Sequence, residues 1–293
     1  MNLTERLSVS AYDWGHIPLY QWLDVLERFG VHQMELWTNN LPPDPVEQVR
    51  DTLASRGVQV ICVNATVAFL PNRTDDVARV QAGILDAIRQ AEMLGARYVN
   101  TYLGPNPRRD LTTTVRLYTR NIQPCLEAAA GRGIILVLEN HFDIRNEDPG
   151  GGDVARRPET LRYLVEEVGS PHFKLTCDPA NFYMAGIEPY PFAYELLRPY
   201  IGYVHLKDAV RYHELLHGPV DGIKVLSDSI AGPFVPVAVG RGAVNYEGLL
   251  ARLVQDGYDG YLTVEPHTKK EHLERVCLET LQYVRAHVRA AAA

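Results

Sequence analysis

Residues 246–267 read YEGLLARLVQDGYDGYLTVEPH. Leu249, Leu250, Leu253 and Val254 recur at three-to-four spacing, the period of a helix with one apolar face. Asp256-Gly257 stops it, because glycine accepts the left-handed backbone at a helix C terminus. YLTVEPH (261–267) then has the aromatic and β-branched content of a strand, and it runs into an acid, Glu265. How often the chain repeats this unit decides the fold.

It repeats along the whole sequence. Strand-like runs are RLSVSAY (6–12), HQMELWT (32–38), VQVICVNA (58–65), RYVNTYLG (97–104), ILVLENH (135–141), FKLTCD (173–178), YVHLKDA (203–209) and YLTVEPH (261–267). Helical stretches alternate with them. LYQWLDVLERFG (19–30) puts Leu19, Trp22, Leu23, Leu26 and Phe29 on one face. Glycines at 30, 57, 95, 133 and 257 close helices just ahead of the next strand. Eight such units predict an α/β protein, a single (β/α)8 TIM barrel over residues 1–293, in preference to an open doubly wound sheet. No GxGxxG follows the first strand, where AYDWGHIP (11–18) stands instead. Two connections, 142–157 and 210–245, are long, carry little periodicity and follow strands. They are expected to be active-site loops on the C-terminal face of the barrel.

Composition narrows the function. The 293 residues are 46% hydrophobic and 22% charged, with a formal net charge of −7. That disfavours a phosphate-backbone binder, so no nucleic-acid partner is expected. The four cysteines form no CxxC pair, and the N terminus has no apolar run behind basic residues. A reduced, cytoplasmic setting without a membrane span is expected.

Side chains alternate along a strand. If Glu139 points inward, so do Val137 and Ile135, while Leu136 and Leu138 pack on helices. The same parity turns Asp178, His205 and Glu265 inward and leaves Leu175, Cys177, Val204, Leu206, Leu262 and Val264 facing helices. Singly, each polar residue has an ordinary structural explanation: a helix cap, a core histidine, a turn aspartate before Pro179. Together they bring three carboxylates and an imidazole to the top of one barrel. Such carboxylates repel unless their pKa values rise or a cation neutralises them. One divalent ion resolves the conflict, and an oxygen-rich set with one histidine suits Mn²⁺, Mg²⁺ or Co²⁺, with Zn²⁺ also compatible.

GVHQMELW (30–37), LVLENH (136–141), CDPANF (177–182), YVHLKD (203–208) and the stretch VGRGAVNYEGLLARLVQDGYDGYLTVEP (239–266) carry a resemblance. The chain resembles the xylose isomerase-like TIM barrels, the sugar phosphate isomerase/epimerase superfamily that also holds the AP-endonuclease-type barrels. The resemblance implies Glu139, Asp178, His205 and Glu265 as metal ligands. It also implies Glu139 and Glu265 as the acid–base pair that moves a proton beside a ketose carbonyl through an enediolate. A small sugar or polyol-derived substrate and a homo-oligomer follow from the same resemblance. Ketohexose epimerases of this type carry D-x-x-H after strand six, where this chain has Asn181 in DPAN. DPAN with HLKD is more similar to inosose dehydratase-like members, so a metal-dependent lyase is the alternative outcome. An AP-endonuclease-like phosphodiesterase is the remote one, since strands two to four end in Glu35, Asn64 and Thr101 rather than histidines.

Further residues are expected to line the substrate. Lys207 shares the inward parity of His205; its alternative is a salt bridge to Asp208. Glu35 is inward on strand two, with a buried arginine or lysine pair as its alternative. His141 and His267 each lie two residues past a glutamate of the set. Trp14 and Trp37 supply aromatic walls, Arg241 in GRG a cation for a phosphate or carboxylate, and Asn64 and Asn181 amides for hydroxyls.

Overall fold

The computed structural model describes residues 3–11, 19–41, 44–69, 76–104, 110–142, 154–218 and 223–292. Among these, the strands in chain order are β1 (Leu7–Ser10), β2 (Gln33–Trp37), β3 (Gln59–Phe69), β4 (Tyr98–Leu103), β5 (Ile135–Glu139), β6 (Phe173–Cys177), β7 (Ile201–Leu206), β8 (Asp208–Arg211), β9 (Leu226–Asp228), β10 (Gly232–Val237) and β11 (Leu262–Val264). The eight runs read from sequence close into a parallel barrel, in the order β1-β11-β7-β6-β5-β4-β3-β2.

The helices are α1 (Leu19–Phe29), α2 (Val46–Ser55), α3 (Val77–Leu94), α4 (Leu111–Ala130), α5 (Pro158–Val168), α6 (Pro179–Met184), α7 (Tyr194–Leu197), α8 (Glu214–His217), α9 (Tyr246–Gln255) and α10 (Leu273–Ala291). Their boundaries have local causes. Asp110 caps α4 by accepting from Thr113 N at 2.8 Å, and Asn245 caps α9 from Gly248 N at 3.0 Å. Gly95 ends α3 with φ 72°, which a side chain would disfavour.

The parity argument holds in the packing. Leu136, Leu138, Leu175, Val204, Leu206, Leu262 and Val264 belong to the large core between barrel and helices. Val137, Tyr203, Tyr98 and Cys62 form a separate cluster inside the barrel, with Ile135 and Tyr261 packed against it. The Tyr98 and Tyr203 rings lie 5.3 Å apart. This aromatic plug fills the barrel below the polar residues and denies them water from that side.

Two sequence boundaries shift. The third strand was expected to end at 65 but runs to Phe69, with an irregularity between Asn64 and Ala68. The seventh ends at Leu206, and Asp208 starts a new strand. That strand opens a correction to the 210–245 reading. The segment is largely built: β8, β10 and β9 form an antiparallel sheet in that order, with α8 between β8 and β9. Two prolines in GPFVPV (232–237) obscured the middle strand, since proline lacks the ladder N–H. Of the other long connection, 143–153 lie outside the described residues. Arg156 beyond them is buried, pairs with Asp228 of β9 at 3.3 Å and donates to Ala185 O at 2.8 Å. The two long connections therefore touch.

Asp208 anchors the turn behind β10. Its carboxylate accepts from the backbone N–H of Ala209 (2.9 Å), Gly240 (3.0 Å), Gly242 (3.0 Å) and Val244 (3.2 Å). A Cβ on Gly242 would overlap that carboxylate, so the GRG turn needs glycine there. Burial pushes Asp208 up to about 6 despite its four donors. A carboxyl held above its ordinary value binds its proton more tightly folded than unfolded. Its contribution is therefore full below about pH 4 and lost as the pH rises through about 6. Between pH 4 and 7 the wild type should lose about 2 kcal/mol relative to Asp208→Asn in urea unfolding. A pH-independent difference would show that Asp208 does not titrate in this window.

Candidate metal centre

The four inward polar residues meet. Glu139 ends β5, Asp178 follows β6, His205 lies on β7 and Glu265 follows β11. One ligand atom from each lies within 4.8 Å of all the others. Asp178 and His205 are fully buried, and Glu139 and Glu265 are each 3% exposed. Barrel register explains the meeting: His205 pairs with Thr263, and Glu265 N donates to Leu206 O at 3.1 Å.

His205 is held from one side and open on the other. Its Nε2 lies 3.0 Å from Glu35 Oε2, across the barrel on β2. Its Nδ1 makes no hydrogen bond and faces Glu139 Oε1 at 3.3 Å and Glu265 Oε2 at 3.7 Å. A buried ring nitrogen aimed at two carboxylates, with the other nitrogen pinned by a third, is the arrangement of a metal-binding histidine. Three carboxylates and one imidazole can hold a hard or borderline divalent cation.

Each carboxylate has polar support. Glu139 accepts from Asn181 Nδ2 at 3.0 Å and from Asn100 Nδ2 at 2.9 Å. Asp178 Oδ1 accepts from Asn181 N at 2.9 Å, capping α6. Asn140 Nδ2 donates to Asp178 O at 2.9 Å, and Asn140 Oδ1 accepts from Asp178 N at 2.7 Å. Lys207 Nζ lies 2.7 Å from Asp178 Oδ2 and 2.9 Å from Glu265 Oε2, and His267 Nε2 lies 3.1 Å from the latter.

The charges follow. Burial works against the imidazolium of His205, but Glu35, Glu139 and Glu265 outweigh it and hold its pKa well above the usual histidine range. Burial pushes Glu265 up, yet Lys207, His267 and His205 hold it well below the usual carboxylate range. Glu139 is lowered against burial, chiefly by His205. At Asp178 burial prevails over Lys207 and raises the carboxyl. The centre stores negative charge in a dry core, compensated by the protein's own cations.

The remaining expectations separate. Lys207 pairs with Asp178 and Glu265, not with Asp208, which is turned to the GRG turn. Glu35 meets His205 rather than an arginine or lysine. Asn64 Oδ1 accepts from Asn100 Nδ2 and Tyr102 OH, both at 2.8 Å, and Trp37 stacks on Tyr102 at 5.6 Å. His141 is half-buried, stacked on Phe142 at 4.8 Å, and burial lowers its pKa. Arg241 is exposed on its turn. Trp14 lies outside the described residues. Asn100, Tyr102 and Asn140 were missed in the sequence. Alternation from Tyr98 would have turned the first two inward, and Asn140 is the residue after Glu139.

Comparison with known proteins agrees with this architecture. The family model described as xylose isomerase-like TIM barrel matches residues 23–287. A 2-epi-5-epi-valiolone 7-phosphate 2-epimerase of Actinoplanes sp. is 29% identical over 169 residues, covering 57% of this chain and 56% of that relative. The chain thus matches little more than half of that protein's length. A D-tagatose 3-epimerase-like protein superposes with a TM-score of 0.75 at 19% identity, covering 98% of each chain. The probable 3-DHS dehydratase AsbF of Bacillus anthracis gives 0.71 at 15% identity, over 96% of this chain and 98% of that one. At these identities the two structures speak for the fold. No helix among the described residues is long and apolar enough to cross a membrane.

Proposed function

This chain belongs to the xylose isomerase-like TIM-barrel family, and from that premise we propose a divalent-metal-dependent epimerase or isomerase of a ketose or sugar-derived cyclic ketone. The observation that carries the reading is the placing of Glu139 and Glu265 on the same ring nitrogen of His205, at 3.3 and 3.7 Å, from strands on either side of β7 and β6. Glu139, Asp178, His205 and Glu265 are the proposed ligands, with Mn²⁺ the first choice among Mn²⁺, Mg²⁺, Co²⁺ and Zn²⁺. When bound, the ion supplies Lewis acidity, polarising a substrate carbonyl and favouring negative charge on its oxygen. Glu139 and Glu265 are the proposed base and acid, one taking the proton beside the carbonyl and the other returning it. Asn100 and Asn181 keep Glu139 oriented, and Lys207 and His267 do so for Glu265.

The proposed organisation is one domain over 1–293, with the connections 142–157 and 210–245 covering the site, in a homo-oligomer that takes a small polyhydroxylated substrate. A lyase of the inosose dehydratase type is the second reading. It is favoured by Asn181, whose amide holds Glu139 where ketohexose epimerases carry a histidine.

Incubation with Mn²⁺ and a panel of ketoses, inososes and phosphorylated cyclitol ketones in D₂O tests both. Deuterium entering at carbon beside the carbonyl without loss of water is the expected result. A new enone absorbance transfers the protein to the lyases. Metal-dependent nicking of abasic DNA, with no exchange on any ketone, overturns both.

A further inference from the structure

At the end of the barrel away from the candidate metal centre lies a cavity of about 480 Å³. That is within the roughly 300–1,000 Å³ of small-molecule sites. Leu7 and Gln33, the first residues of β1 and β2, line it together with Glu5, His32, Arg285 and Arg289. The four candidate ligands stand at or just past the opposite ends of their strands. A strand's length, roughly 15 Å, therefore separates the two places.

Arg285 and Arg289 lie one helical turn apart on α10, a spacing at which like charges repel. Pairing relieves such charge elsewhere on this helix, where Arg275 Nη1 lies 3.2 Å from Glu279 Oε1. Neither Arg285 nor Arg289 meets a carboxylate among the described residues. Arg285 is held by main chain instead: its Nη2 donates to Phe29 O at 3.1 Å and Gly30 O at 2.8 Å, the carbonyls that end α1. One nitrogen of the fork is thereby engaged. The N–H groups of Nε and Nη1 have no protein acceptor among the described residues. Burial, and then the charge of Arg289, hold the Arg285 pKa below the usual arginine range. A basic last turn suits a helix dipole, but that accounts for neither the cavity nor the doubled charge.

Two guanidinium forks one turn apart form a donor set for the oxygens of a phosphate group. Two cations against the one carboxylate of Glu5 leave a positive excess in a chain of net charge −7. Glu5 opposes a bare anion, yet with Gln33 and His32 it suits the hydroxyls of a body that carries the phosphate. We propose that this cavity binds a small phosphate ester of a polyhydroxy compound, with the phosphate between Arg285 and Arg289 and the hydroxyls on Glu5 and Gln33. The site is separate from the reaction proposed above and does not depend on it.

Calorimetric titration of the full chain with glucose 6-phosphate, inorganic phosphate and glucose in turn tests this. A chelator is present throughout, so that no divalent ion offers phosphate a place at the other end of the barrel. Wild type should bind one equivalent of glucose 6-phosphate, inorganic phosphate more weakly and glucose not at all. Arg289→Gln, at an exposed side chain, should weaken the ester by about 10-fold. Arg285→Lys keeps the charge, loses the fork and should also weaken it. Glu5→Gln should tighten inorganic phosphate several-fold, a change of opposite sign that no general loss of structure produces. Equal affinity for the two phosphates overturns the ester reading. Undiminished binding in Arg289→Gln, or no binding of either phosphate by the wild type, overturns the site.

Discussion

Glu139→Gln and Glu265→Gln should each slow deuterium exchange beside the substrate carbonyl by about 10²–10⁴-fold while the protein stays folded. Glutamine keeps the shape of the side chain and removes the ability to take a proton. Neighbouring donors tolerate the change unequally. Glu139 is held by two amides, Asn100 and Asn181, and an amide oxygen can still accept from one of them. Glu265 is held by Lys207 and His267, both of which favour an anion. The Glu265 variant should therefore show the weaker metal binding of the two, and the Glu139 variant a loss of rate larger than its loss of Mn²⁺ affinity. Exchange at the wild-type rate in either variant removes that glutamate from the acid–base role. Equal rate losses with equal loss of metal would make both glutamates ligands only.

His205→Ala should lose the divalent ion. The side chain offers the one nitrogen of the donor set, and its removal leaves Glu35, Glu139 and Glu265 facing one another in the core. Breaking a buried charge pair on one side costs about 3–5 kcal/mol, so the metal-free variant should also melt several degrees lower. Glu35 separates the two effects. Glu35→Leu leaves His205 in place but unpinned, and outer carboxylates of this kind are worth about 10–100-fold in metal affinity. Glu35→Gln, which can still accept from Nε2, should recover part of that loss. Calorimetric titration with Mn²⁺ reads all three. Undiminished binding in His205→Ala would return His205 to the role of a core histidine and remove it from the donor set.

Much of this was legible in one dimension. Period-two strands, period-3.6 helices and a glycine between them are local signals, and Gly95 and Gly257 sit at positive φ where the pattern put them. The parity of β5, β6, β7 and β11 followed from which neighbours had to be greasy. A polar residue of common parity at the end of four successive barrel strands must converge with the others, because closure leaves no other place for it. Glu139, Asp178, His205 and Glu265 could be named as a set for that reason.

What the sequence left open depends on contacts between distant segments. Glu35 and His205 are 170 residues apart, and only closure of the barrel brings β2 within reach of β7, with β11 and β1 between them. Lys207 and Asp208 are adjacent, yet one turns to the carboxylates and the other to the backbone of residues 240–244. The small β8-β10-β9 sheet was hidden by prolines and by strands too short to show a period. Sequence alone determined the barrel and the four residues at its mouth, because alternation and closure are properties of the chain's own pattern. Tertiary structure decided which charges meet, because a side chain's partner is set by register and packing that no local pattern encodes.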